Sequence, residues 1–214
     1  MDKKQIEEAL KKAKEGQERK FKQSIDLIVN LKDLNLKNPE EQVEFFVNMQ
    51  HSNGKKHKVC CLSGPELLAE AKAHCDTVLE QHDFEKLDKK QIKKLSQEHD
   101  WFIAQANIMP KVATTFGRVL GPRGKMPNPK AGCVVPPKAA LGPLTERLQN
   151  TLKVSAKKAP TIMLKAGHEG QDEKEIVDNI LLLYDQIVHH LPNEANNIRS
   201  VLLKTTMGAP VKLQ

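Results

Sequence analysis

The sequence predicts an α/β (α+β) protein of two domains. One is a split, sandwich-like α/β domain from both chain ends, residues 1–57 and 155–214; the other is an inserted three-layer domain, residues 58–154, with strands and helices alternating over a small parallel sheet. Three observations predict it. Near both ends apolar residues alternate with polar ones, the period of a strand buried on one face. Between them, short apolar runs are each followed by helical spacing, the order of a parallel βα unit. The length of 214 residues accommodates one sizeable core or two modest ones, so size alone leaves both counts open.

Taken in order, Ile6, Ala9, Leu10 and Ala13 fall on one face of an amphipathic helix, which Gly16 should end. Ile25, Leu27, Val29 and Leu31 alternate with polar residues from Ser24 onward and predict a half-buried strand. After the Asn38-Pro39 turn signal, Val43, Phe45, Val47 and Met49 predict a second strand, and the polar HSNGKKHK reads as a linker. The apolar run Val59 to Leu62 then meets Ser63-Gly64-Pro65-Glu66, where Ser63 is placed to cap a helix. Thr77 to Leu79, a Lys-rich helix around Leu87, Ile92 and Leu95, Asp100 to Ala104 with Trp101 in the sheet, and a helix from Met109 continue the alternation. Ile162, Leu164 and Ala166 return to period two. Asp172 and Glu175 resemble a capping box opening a helix whose stripe of Ile176, Ile180, Leu183 and Ile187 must cover a sheet. A last strand is expected from Ile198 to Thr206.

Composition narrows the function classes. The formal net charge of +7 favours polyanionic partners, and its distribution says more than its total. Arg118, Arg123, Lys125, Lys130 and Lys138 occur between Gly117 and Lys138 with no acidic residue, whereas Asp172 to Glu194 is acidic. The four cysteines lack a C-x-x-C spacing and the histidines form no H-E-x-x-H, so no metal and no other cofactor is expected, and the cysteines read as small buried hydrophobes. The N-terminus lacks an apolar signal core and no apolar run is long enough to span a bilayer, which predicts a cytoplasmic protein with no membrane partner. Gly117, Gly121 and Gly124 before Lys125 suggest a phosphate loop. However, a P-loop needs Gly where Val119 stands and Ser or Thr where Met126 stands. No nucleophile motif is present, so the chain does not read as an enzyme. With Pro122, Pro127 and Pro129 the stretch reads instead as a rigid, basic, extended loop.

That stretch, GRVLGPRGKMPNPKAG from Gly117 to Gly132, resembles the signature of the ribosomal L-one family at nearly every position. The resemblance extends to KFKQSIDLIVNL and RSVLLKTTMGAPVKL at the two ends. Lys125 stands where bacterial members have Leu, and the length is similar to archaeal members, so the chain resembles an archaeal-type member. Ala209 separates Gly208 from Pro210, where the family has Pro directly after the glycine.

The resemblance implies a non-enzymatic RNA-binding protein of the large ribosomal subunit. Its split domain would grip large-subunit ribosomal RNA at the mobile stalk, it would assist movement and release of exit-site tRNA, and it would repress translation by binding its own mRNA. The alternatives are an RNA-binding translational regulator acting only off the ribosome and a nucleotide-binding enzyme. Carried over residue by residue, the resemblance assigns RNA contact to Phe21, Ser24, Ser200, Thr205, Thr206, Met207 and Gly208, with Lys20 and Lys204 as basic neighbours. Hydroxyls and a bare glycine amide suit close approach to ribose 2′-OH and phosphate, and Met207 and Phe21 suit apolar sugar or base surfaces. Ser200, Lys204 and Thr206 share one strand face by period two. Arg118, Arg123, Lys125 and Lys130 form a secondary basic loop for phosphate. Aromatic residues make up only 4%, which argues against a base-stacking platform and for recognition by RNA shape.

Overall fold

The computed structural model describes residues 2–15, 19–38, 41–157 and 159–213. Gly16 and Pro39, expected to end a helix and mark a turn, lie outside the described residues. The chain opens with α1 (Lys3–Lys14), β1 (Ser24–Leu31) and β2 (Val43–Asn48). It continues through β3 (Val59–Ser63), α2 (Leu68–His74), β4 (Thr77–Glu80), α3 (Lys89–Glu98), β5 (Trp101–Gln105), α4 (Met109–Leu120), β6 (Val134–Val135) and α5 (Gly142–Gln149). It closes with β7 (Thr151–Ala156), β8 (Thr161–His168), α6 (Glu173–His190), β9 (Ile198–Thr205) and β10 (Val211–Lys212). These elements form two compact units, residues 1–55 with 150–214 and residues 56–149. The boundary expected at residue 155 falls inside β7, which pairs with β2 along its whole length.

In the unit from the chain ends, β1 lies between β8 and β9 in an antiparallel sheet ordered β10-β9-β1-β8. Ile25, Leu27, Val29 and Leu31 are buried as the alternation predicts. They share a core with Ile6, Leu10 and Ala13 of α1 and Ile176, Ile180, Leu183 and Ile187 of α6. The inward residues of the β2-β7 ribbon, among them Phe45, Val47 and Val154, join it. Burial at about 25 cal/mol per Å² of apolar surface makes this shared core the main stabilising element of the unit.

One polar feature departs from expectation. Asp172 caps α6, but its carboxylate accepts from the backbone N–H of Lys174, and Glu175 accepts from Gln171 instead of completing a capping box. The division between the two units falls inside the HSNGKKHK stretch, between residues 55 and 56, where the sequence places a linker, and within it Asn53 and His57 are buried. Asn179, buried among the apolar residues of α6, exchanges hydrogen bonds with both backbone groups of His51 and donates to the Ala166 carbonyl. A buried amide is tolerated there because its polar atoms are paired.

The inserted unit carries a parallel sheet ordered β4-β3-β5-β6. All five residues of β3 are buried, as a strand covered on both faces requires. Cys60, Leu62, Phe102 and Ala104 pack with α3 and α4 residues such as Ile92, Val112 and Phe116. Cys60, Cys61 and Cys133 are buried thiols, and burial pushes Cys60 up to about 12 and Cys133 up to about 11. Ser63 does not cap a helix. It pairs with Glu80 as the last residue of β3, and α2 starts only at Leu68 after a turn. Gly64 donates its N–H to Gln105 Oε1 just before the turn at residues 65–67.

The basic signature also differs from an extended loop. Residues 117–120 are the last turn of α4, closed by the Gly121 N–H on the Gly117 carbonyl. Gly124 and Gly132 take positive φ, and Asn128 caps a short 3-10 turn by accepting from the Lys130 N–H. Arg123 Nη1 donates to the Lys93 carbonyl at 3.3 Å and to Ser96 Oγ at 2.9 Å. Lys125 Nζ donates to the carbonyls of Ser96 at 2.9 Å and His99 at 2.7 Å. Two cations therefore serve the carbonyl end of α3, where the helix dipole is negative and the last carbonyls lack helical partners. Arg118 and Lys130 are exposed.

Lys125→Met removes both charge-assisted bonds while keeping the aliphatic stem. It is expected to destabilise the inserted unit by about 2 kcal/mol, read as a lower urea midpoint.

Candidate RNA interface

At one end of the antiparallel sheet the start of β1 meets the end of β9, with Ile25 opposite Thr205. The Thr206 N–H donates to the Ser24 carbonyl at 3.1 Å. The Ser24 N–H donates to Thr206 Oγ1 at 2.9 Å, and the two hydroxyls lie 3.0 Å apart. Two residues that the sequence places 182 positions apart thus present one joined pair of hydroxyls at the surface. Ser24 Oγ also reaches Asp26 at 3.3 Å.

Beyond this pair the chain turns, and the Gly208 N–H closes the turn on the Thr205 carbonyl at 3.2 Å. A Cβ on Gly208 would stand 2.2 Å from Thr205 Oγ1, so this position excludes every side chain unless the threonine moves. Thr205 has no room to move freely. It is 1% exposed, with its hydroxyl aimed at the Ala13 carbonyl of α1 at 3.5 Å. Thr205 therefore supports the surface from beneath, while Thr206 and Met207 form it.

Phe21 is 51% exposed and Met207 60% exposed, two of the three large apolar side chains left open to solvent among the described residues. Lys20 and Phe21 lie on the segment leading into β1. Ser200 shares the outer face of β9 with Lys204 but sits six residues from Thr206, about 20 Å along an extended strand. Its hydroxyl accepts from Asn30 Nδ2 at 3.0 Å. On the same face Asp26 pairs in register with Lys204 on one side and Lys165 on the other. Burial lowers the pKa of Lys165, Asp26 works against that shift, and Lys55 adds to it.

Sequence reasoning missed Gln23 and Arg19. Gln23 is 6% exposed at the root of the turn, and its Oε1 accepts the Met207 N–H at 3.0 Å. Arg19 lines a cavity of about 210 Å³ beside Ala13, Gln23, Met207 and Ala209. In the sequence each is one more polar residue in a charged segment, and nothing local marks either one. Among the described residues no group of three or more His, Cys, Asp or Glu is arranged to hold a metal ion, and no helix is long and apolar enough to cross a membrane.

Gly208→Ala forces the turn apart at Thr205. The expected cost is about 1–3 kcal/mol of unfolding free energy, checked by urea denaturation, with Lys212→Ala on the exposed β10 as a near-silent control.

Comparison with known proteins identifies the family. The model of the family described as Ribosomal protein L1p/L10e family matches residues 10–209. A relative from Methanothermococcus thermolithotrophicus is 37% identical, with 100% of each chain covered. One from Nanoarchaeum equitans is 38% identical over 95% of this chain and 97% of its own. One from Methanobrevibacter smithii is 39% identical over 98% of both. All three bear the name Large ribosomal subunit protein uL1, that of a ribosomal component and not of an enzyme. Matched from residue 10 to residue 209, the chain belongs to the L1p/L10e family of ribosomal proteins.

Proposed function

We propose that the protein is a non-enzymatic component of the large ribosomal subunit that binds large-subunit ribosomal RNA at the mobile stalk through the unit built from its two ends. The observation that carries this reading is the surface of Phe21, Ser24, Thr206, Met207 and Gly208. It combines exposed apolar side chains with hydroxyls and a bare backbone in a chain of net charge +7. RNA differs from DNA by its 2′-OH, and close-set hydroxyls with an unhindered glycine backbone suit that group. Lys20 and Lys204 add phosphate contacts beside them, and Ser200 extends the surface along β9. In this reading Arg118 and Lys130 are the secondary phosphate contacts of the inserted domain, because Arg123 and Lys125 already serve α3. The same protein assists release of exit-site tRNA and represses translation of its own mRNA through an RNA element resembling the ribosomal site.

Ultraviolet crosslinking of the protein in purified ribosomes and in total RNA, followed by sequencing of the attached RNA, tests the assignment. Crosslinks concentrated in one large-subunit RNA element support it, and crosslinks to messenger RNA alone would overturn the ribosomal role. Thr206→Ala or Met207→Ala is expected to weaken binding to a stalk RNA fragment at least tenfold, whereas Lys125→Ala changes it less than about threefold. Equal losses would remove the main surface from the chain-end unit. Affinity should also fall steeply with added salt as counterions are released.

A further inference from the structure

The Met207 turn is tethered by a side chain that is itself held by a third segment of the chain. Gln23 Oε1 accepts the Met207 N–H, while Gln23 Nε2 donates to Glu169 Oε1 at 2.8 Å. The other carboxylate oxygen, Oε2, accepts the backbone N–H of Gln23 at 3.2 Å. The Glu169 N–H returns a bond to the Gln23 carbonyl at 3.0 Å. Three hydrogen bonds therefore join residue 23 to residue 169, which lies between β8 and α6, and one more passes on to Met207.

The chemistry of the pair fixes its direction. An ionised carboxylate can only accept, so the amide nitrogen of Gln23 must face Glu169 and its oxygen must face Met207. Glu169 accordingly decides which end of the amide meets the turn. The Thr206 N–H has its own bond to the Ser24 carbonyl, and Gly208 closes the turn internally. What Gln23 adds is the position of residue 207, the exposed apolar group at the centre of the surface.

We propose that Gln23 and Glu169 are positioning residues of the RNA contact, acting through the Met207 backbone without touching RNA themselves. This rests on the assignment of the turn to RNA binding made above. It predicts that affinity follows the hydrogen-bond polarity of the pair, not the identity of either residue. In Glu169→Gln one of the two donors of residue 23 faces an NH₂ group. In Gln23→Glu two carboxylates face each other. When both changes are combined, the amide at 169 accepts the backbone N–H of residue 23 and donates to the new carboxylate, which still accepts the Met207 N–H. Every bond is then satisfied with side-chain volume nearly unchanged.

The test measures binding of the full chain to a stalk RNA fragment, deuterium exchange at the Met207 amide, and thermal unfolding for all four proteins. Each single variant is expected to lose about tenfold in affinity and to exchange faster at Met207, and the double variant to return to within about threefold of the parent. The proposal is overturned if the double variant binds as poorly as the singles. It is equally overturned if the singles melt lower but bind RNA normally, which would make the pair structural only. Failure of the parent protein to prefer stalk RNA over unrelated RNA would instead overturn the function proposed above.

Discussion

Everything in the chain-end unit depends on β1 being paired along both edges by strands from the other end of the chain. One edge bonds to β8 and the other to β9, so the first strand has no local partner at all. Closing such distant contacts costs chain entropy before any hydrogen bond is gained, and burial of the sheet's inner face against α1 and α6 offsets it. The arrangement also creates the candidate surface. Ser24 and Thr206 can share their hydroxyls only because the register sets Ile25 opposite Thr205.

The inserted unit is organised differently. Its parallel sheet is covered on both faces and its strands are short, so it relies on apolar runs and not on alternation. Positive charges that look like ligands for phosphate are partly consumed in holding this unit together. Arg123 and Lys125 reach back to the end of α3, Arg123 to the Ser96 hydroxyl and Lys125 to the partly buried carbonyls of Ser96 and His99.

Legibility in the sequence followed burial on a single face. α1, β1, β2 and α6 each bury one face, and their apolar residues stand at the spacing of the element, so they could be read directly. β7 could not, because its burial does not alternate cleanly, and β10 is two residues long. Ser63 satisfied every local rule for a helix cap, yet pairing with Glu80 and the tie between Gly64 and Gln105 outweighed it. At the candidate interface the family pattern named Thr205 and Thr206 together. The period-two spacing already sets Thr206 on the face of Ser200 and Lys204, and the structure adds that Thr205, on the opposite face, is buried. Gln23 was illegible because its partners lie 146 and 184 positions away.

The turn at Thr205 to Gly208 begins on the last residue of β9. Without β9 the β1 strand would keep an open edge, a template for aggregation. Folding and assembly of the hydroxyl pair are therefore one event, since the strand that closes the edge of β1 is also the strand that carries Thr206 to Ser24.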